Sequence, residues 1–489
     1  MNISKAVKDN LEQLSDLLGN PKDLVTEAHG LDDAAGLAYL SSLTDHQDIQ
    51  ANLLQPLMPL LVEPNLSIDK VHLLLPKTTP HRRLDLETAA SDLLEGRTVV
   101  FLKGQTAALG FATPGWAKHP IKEPTSERVI RGPREGFTET IDENIGMIRR
   151  WIKDPRLRVD PMELGRSTKT QIAVMYLSEV AQPRLVKEVW SRLEAIDIDG
   201  IIESGYIEQL IKDRRASIYP LTQATERSDK VASAILEGRV AIFVDKSPFV
   251  ILVPVTVNEL YQSPEDYYFD FWLGSFLRLG RLISNNLAVA LPGLYVALVT
   301  INPELLPTQL ALAIASSRMK IPFPLIIEVL LLELAVEVFR EAGLRIPGTV
   351  GETLGVVSGV VLGLVGVQSG LVSPVTVVIV AITAIASFSG PNYSVGIAWR
   401  LLKYILLFAG TFLGLFGVTI AGILILTHAA DVKSFGVSYL APWAPLQWRE
   451  MADAPLRAPF WFRWLRPATY RPQDKLRSGG TKKEDETHE

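Results

Sequence analysis

The chain has 489 residues, too many for one ordinary domain. Its formal net charge of −5, with 21% charged residues, is too small an imbalance to argue for nucleic acid or an acidic partner. Mean hydropathy is nonetheless positive, +0.19, which points to a charged water-soluble part joined to an apolar one. With no cysteine, disulfides, thiolate chemistry and Cys-ligated metals are excluded.

Met1 to Asn20 is polar and amphipathic, without the basic and apolar regions of a secretory signal. The soluble half is therefore expected to stay in the cytoplasm. That half contains a repeat. Leu93-Leu94-Glu95-Gly96-Arg97 followed by Thr98 to Leu102 matches Ile235-Leu236-Glu237-Gly238-Arg239 followed by Val240 to Val244. Each copy reads as a helix end, a glycine at the position where positive φ is favoured, and a β-rich strand. A second short strand follows in each, Thr106 to Phe111 and Phe249 to Val255. The expectation is an α/β N-terminal half of two related subdomains, 1–112 and 137–278, joined by a Pro- and Gly-rich linker, 113–136. In the second subdomain, apolar spacing predicts helices over Ile141–Ile152, Lys169–Ala181, Leu185–Ile196 and Ile201–Lys212.

Catalytic and binding motifs are weak here. Gly165-Arg166-Ser167-Thr168-Lys169-Thr170 lacks the second glycine of a phosphate-binding loop and fits a helix N-cap equally well. Arg149, Arg150, Lys153, Arg156, Arg158 and Arg166 read as a solvated face before an anion site or subunit contact. Asp197 and Asp199 alternate with Ile196 and Ile198 as strand or turn residues do. None of the 7 histidines has metal-ligand spacing, and His428 reads as a structural hydrogen-bonder. With no serine–histidine–acid constellation, the chain reads as neither an enzyme nor a metal or cofactor protein.

Past about residue 279 the solvent changes. Between Ile346 and Trp399 the only charged residue is Glu352. Stretches near the ~20 apolar residues that cross a bilayer are Leu282–Ile301, Pro322–Phe339, Thr349–Val367, Leu371–Phe388 and Leu401–Thr427. Leu306–Ser317 is too short to cross alone and reads as interfacial or re-entrant. The region 279–446 is thus expected to be an all-α polytopic membrane domain of four to six helices. Two cytoplasmic ends require an even number, met by a sixth span or by a re-entrant return near Asp431–Pro445.

Gly348, Gly351, Gly355, Gly359, Gly363, Gly366 and Gly370 keep to one face of the third span. Such a stripe serves close helix approach, either within one chain or in a ring of like helices around a pore. Glu352 enters near one mouth, where a ring of carboxylates would favour cations. Glu333, Glu337 and Glu341 share a face of the second span, and Glu328 points away. A carboxylate in hydrocarbon costs about 3 kcal/mol, so that face belongs to an interfacial amphipathic helix or to an ion vestibule. Glu337 with Arg340, and Glu341 with Arg345, can pair along the helix. In the tail, 447–489, aromatics from Phe460 to Trp464 alternate with arginines and read as an interfacial segment on anionic lipid, or as a solvated tail. Asp474 to Glu489 reads as solvated. The many cations from Arg449 to Lys483 place this end inside.

A set of short motifs resembles the GerA family of spore germination proteins. They include Gly19-Asn20 with Asp23-Leu24-Val25, Glu135-Gly136-Phe137, Asn144-Ile145-Gly146, Ile148-Arg149-Arg150, Gly165 to Thr170 and Asp197 to Gly200. Thr225-Glu226-Arg227, Leu236 to Arg239, Pro292 to Ala297 and Pro322-Phe323-Pro324 continue the set. It ends on Ser434-Phe435-Gly436-Val437-Ser438-Tyr439-Leu440-Ala441-Pro442 with Ala444-Pro445. The match covers roughly 19–446, and Ser228 and Ser438 stand where the family usually has proline. The resemblance implies a germinant receptor A subunit in the inner membrane of a dormant spore. It implies a transporter-like B subunit and a lipoprotein C subunit as partners, and oligomers, a pentamer among them, that conduct cations when nutrient binds. A SpoVAF-like channel paralogue, a non-conducting scaffold and a secondary transporter are the competing readings; no inverted repeat supports the last.

Overall fold

The computed structural model describes residues 1–62, 66, 68–74, 80–115, 123–124, 126–345 and 360–477. Those up to about Val255 build two antiparallel sheets. One has strands β1 (Leu24–His29), β2 (Ala35–Leu40), β3 (His81–Arg83), β4 (Arg97–Leu102) and β5 (Ala108–Ala112), in the order β1-β2-β4-β5-β3. The other has β6 (Leu157–Leu164), β7 (Thr170–Leu177), β8 (Gln223–Thr225), β9 (Val240–Val244) and β10 (Val250–Val253), in the order β6-β7-β9-β10-β8. The second order is the first with five added to each strand number, so the repeat extends over the whole of both units. Each begins with a helix, Val7–Leu18 or Ile141–Trp151, and places another, Leu86–Leu94 or Ser228–Leu236, just before the Glu-Gly-Arg turn. Gly96 and Gly238 adopt φ of 77° and 93°, as the turn requires.

Helices cover both faces of each sheet. In the second unit Met175 and Phe243 meet Ile145, Ile148, Val231 and Ile235 on one side. Ile172, Val174 and Ile242 meet Leu185, Val189, Ile207 and Ile211 on the other. This double burial explains the one element misread from the sequence. Lys169–Ala181 is not a helix: its core is β7, paired with β6 and β9. A strand buried on both faces shows a continuous apolar run, and period cannot separate that from a helix. Gly165 to Lys169 is accordingly the β6–β7 turn.

In the apolar half, two helices are long and apolar enough to cross a membrane, Phe271–Thr300 and Ser394–Asp431; Pro374–Ser387 is apolar but shorter. Of the four to six spans expected, two meet that measure among the described residues. Thr308–Arg318 and Leu325–Arg345 are also helical. The first helix begins well before Leu282. The last expected span is interrupted: Gly414 has φ 62° and ψ −147°. A Cβ on Gly417 would meet the Ala409 backbone and one on Gly410 the Val418 side chain. A straight helix places such residues about 12 Å apart, so the chain folds back at Gly414 into a helical hairpin. The Leu415 N–H donates to Asn302 Oδ1 at 3.0 Å, capping the returning arm.

Candidate functional site

The second α/β unit and the helices meet at a joint built from three segments. The first follows the returning helix. Lys433–Ser434 and Val437–Ser438 pair as a two-residue hairpin, with Phe435 at φ 48° and Gly436 at φ 79°, the turn whose twist suits such a loop. Ser434 Oγ donates to the Leu221 carbonyl at 2.7 Å and accepts from the Val255 N–H at 3.0 Å. Phe435 inserts into the lower core of the second sheet, under the Arg192 guanidinium at 4.1 Å, while its N–H reaches Asp213. Tyr439 is buried against Tyr219, ring centroids 5.3 Å apart. Leu440 packs on the same cluster. Ala441–Pro442 and Ala444–Pro445 are cis.

Tyr219 binds this end of the hairpin. Its hydroxyl donates to the Ile425 carbonyl at 3.0 Å and its ring stacks on His428 at 5.6 Å. Burial pushes its phenol up to about 12, so it stays a donor at any ordinary pH. His428 is thus a stacking partner, and its carbonyl accepts from Val432.

The second segment is the start of the Phe271–Thr300 helix, and the third is the chain after Trp448. Asp266, fully buried, pairs with Arg278 and Arg281. Arg278 reaches Asp453 Oδ1 at 3.1 Å, Arg463 the other oxygen of Asp453 at 3.1 Å, and Arg463 also Glu237 at 3.2 Å. The result is a continuous chain of charges from the first membrane helix through the C-terminal segment to the Glu-Gly-Arg turn. Buried charges persist only where paired, so each link holds its neighbours in register. Burial, then the Glu259 charge, pushes the Glu237 carboxyl up from its ordinary value, against the pull of Arg477 and Arg463. The tail is docked as far as Arg477: Arg466 pairs with Asp474 and the Gln473 side chain donates to Ala181. Asp474 to Arg477, read as solvated, are thus docked, and the rest of that tail lies outside the described residues.

Of the candidate residues in the apolar half, Glu333 is buried and paired with Lys403. Glu337 takes Arg400 at 2.6 Å and Arg340 at 3.2 Å. Glu328, fully buried, pairs with Arg318 and accepts the Ser373 N–H. These carboxylates thus bind the Leu325–Arg345 helix to its neighbours by charge. Gly363 lies in the helical stretch Val360–Gln368, with none of the described residues within 4 Å of where its Cβ would be, and Gly366 follows on it. Gly351, Glu352, Gly355 and Gly359 lie outside the described residues.

The six basic residues of the second unit divide: Lys153 and Arg166 are exposed and Arg156 partly so, as a solvated face requires, whereas Arg149 and Arg158 turn to the first unit. Arg149 is buried and forms two bonds of 2.6 Å with Asp23 of the first unit. Arg158 donates to Leu18 and Gly19 carbonyls, and Arg166 pairs with Asp197 on the surface. The sequence reading missed Lys403, Arg400, Asp266, Arg278, Asp453 and Arg463. For Lys403 the signal was present, a lone cation inside an apolar stretch. Among the described residues no group of three acids or histidines is placed to hold a metal.

A family model for the Bacillus/Clostridium GerA spore germination protein matches residues 12–469. Spore germination protein KA of Bacillus subtilis (strain 168) is 39% identical over 488 residues, 98% of this chain and 89% of that protein. The uncharacterized membrane protein YfkQ of the same organism is 36% identical over 476 residues, 96% of this chain and 92% of its own. Among solved structures, the N-terminal domain of the A subunit of the Bacillus megaterium spore germinant receptor GerK3 is 31% identical. It covers 52% of this chain and 96% of that domain, with a TM-score of 0.41.

Proposed function

The chain belongs to the GerA family of spore germination proteins, and from that premise we propose that it is the A subunit of a nutrient germinant receptor. In this reading it is a multi-pass protein of the spore inner membrane with both α/β units on the cytoplasmic side. It works with a transporter-like B subunit and a lipoprotein C subunit, and copies of it, five in the simplest ring, enclose a cation path.

The observation that carries the reading is the joint. Ser434 to Pro442, one of the motifs that carry the family resemblance, are the residues that fasten the returning helix to the second sheet. A subunit that converts a signal in one part into movement of the other needs such a rigid coupling. The conducting role is supported by the open space at Gly363 among the described residues and by charges between helices, since ionisable groups at that depth cluster along ion paths. The pairing of Glu333 with Lys403 and of Glu337 with Arg400 equally favours a non-conducting scaffold, because both acids are neutralised within one chain.

Ion flux through proteoliposomes of the purified chain, alone and with its B and C partners, separates the two. The channel reading expects a cation current whose reversal potential moves in opposite directions in Glu337→Gln and Arg400→Gln. A sealed vesicle in every combination leaves the scaffold. Gly363→Leu is expected to abolish the current without unfolding the chain, since no described residue lies within 4 Å of the added Cβ.

A further inference from the structure

Between the second α/β unit and the C-terminal segment lies a cavity of about 890 Å³, within the size range of ligand sites. Its acids are largely spoken for: Glu237 by Arg463 and Arg477, Asp453 by Arg278 and Arg463, Glu259 by Arg239. Glu450 accepts from the N–H and hydroxyl of Thr469. Three of the cations lining the same space, Arg449, Arg471 and Lys475, have no carboxylate within ion-pair distance among the described residues. The cavity therefore carries surplus positive charge, with Trp464 as part of its wall; Arg449 lies over that ring at 4.8 Å.

The rim continues onto the membrane helix. Phe462 and Trp464 line the cavity. Next to them Phe460 and Trp461 are 60% and 70% exposed, as are Trp272 and Phe276, each 73%, on the first turns of the Phe271–Thr300 helix. Phe271 and Trp461 touch edge to face at 5.8 Å. Exposed aromatic rings beside arginines, at the end of a membrane-crossing helix, are the composition of the headgroup level of a bilayer. We propose that this cavity binds the phosphate headgroup of an anionic membrane phospholipid, with Arg449, Arg471 and Lys475 on the phosphate and the aromatic rim among the acyl-chain ends. A soluble phosphate would account for the charge but not for the greasy rim. The inference rests on the chain being embedded in a membrane.

The test uses the full chain in nanodiscs of phosphatidylglycerol and phosphatidylcholine. Lipid retained after transfer to detergent is identified by native mass spectrometry. The wild type is expected to keep phosphatidylglycerol in preference to phosphatidylcholine. Arg449→Gln, Arg471→Gln and Lys475→Gln together are expected to weaken that retention about a hundredfold, at roughly fivefold for each cation beside the headgroup. Arg166→Gln, at a surface arginine that does not line the cavity, is the control and should change nothing. Equal retention by the triple variant overturns the proposal, as does equal retention of the zwitterionic lipid. Displacement of the lipid by an equal concentration of glycerol phosphate assigns the site to a soluble anion and overturns it too. If the wild type fails to enter the nanodisc, the membrane reading itself falls, and the proposal with it.

Discussion

The two α/β units share one strand order and one turn, yet the turn does different work in each. In the first, Arg97 reaches the half-exposed Glu95 at 3.5 Å and, at 3.6 Å, the buried Asp92, which Arg83 already holds with two bonds; these contacts are local to the unit. In the second, Glu237 is nearly buried and receives Arg463 and Arg477 from more than 200 residues away. Arg239 is buried as well, donating to the Pro254 carbonyl and to Gln223, with the Tyr470 ring 5.6 Å from its guanidinium. The backbone reason for the motif, a glycine at positive φ, is the same in both copies. The chemical use differs, because only the second copy has a C-terminal segment laid over it. The same turn presents an acid and an arginine in both units, and the joint to the apolar helices is built on the second.

The largest effect expected from breaking this arrangement lies at the tie between the copies. Arg149→Ala leaves Asp23 with Ser42 as its remaining side-chain donor in a buried site. Loss of one partner of a buried pair costs about 3–5 kcal/mol. Denaturation of the α/β region followed by tryptophan fluorescence should fall by that amount and divide into two transitions. A single unshifted transition would mean that the units are not coupled through this pair.

Next come the paired turns themselves. Arg239→Ala strands the Pro254 carbonyl and the Gln223 side chain, at about 1–3 kcal/mol for each unsatisfied buried group. Arg97→Ala removes the half-exposed Glu95 pair, worth about 1 kcal/mol or less, and leaves the buried Asp92 still held by Arg83. Melting temperatures of the two variants should therefore differ clearly, with Arg239→Ala the lower. Equal shifts would erase the distinction between the copies.

How far these features could be read in advance follows from the range of each interaction. The Glu-Gly-Arg turn was legible because positive φ is a local demand that glycine answers alone. The full extent of the repeat was not, since β1 and β6 share topology without sharing residues that catch the eye. β7 was misread because two buried faces erase the alternation that marks a strand. The break at Gly414 was hidden by uniformly apolar neighbours, Leu413, Leu415 and Phe416. Its positive φ, with the close approach of Ile301 and Asn302, explains why that glycine is needed. The Arg149–Asp23 pair spans 126 residues, and nothing local in either motif points to the other. Yet both residues sit in short motifs singled out for their resemblance, and the structure gives those two motifs one shared physical role.

The smallest effect, and the one that reads the second turn most directly, is a pH dependence. Burial and Glu259 raise the Glu237 carboxyl above its ordinary value. A raised carboxyl holds its proton more firmly when folded than when unfolded. Its stabilising contribution is therefore complete below the ordinary glutamate range and is lost as pH rises through the folded value. Glu237→Gln cannot lose a proton, so the difference in stability between variant and wild type should shift in favour of the variant as pH rises from about 4 to 7. Chemical denaturation of the two proteins at several pH values decides it. Parallel curves for Glu237→Gln and the wild type would show that Arg463 and Arg477 hold the ionised carboxylate strongly enough to cancel its burial.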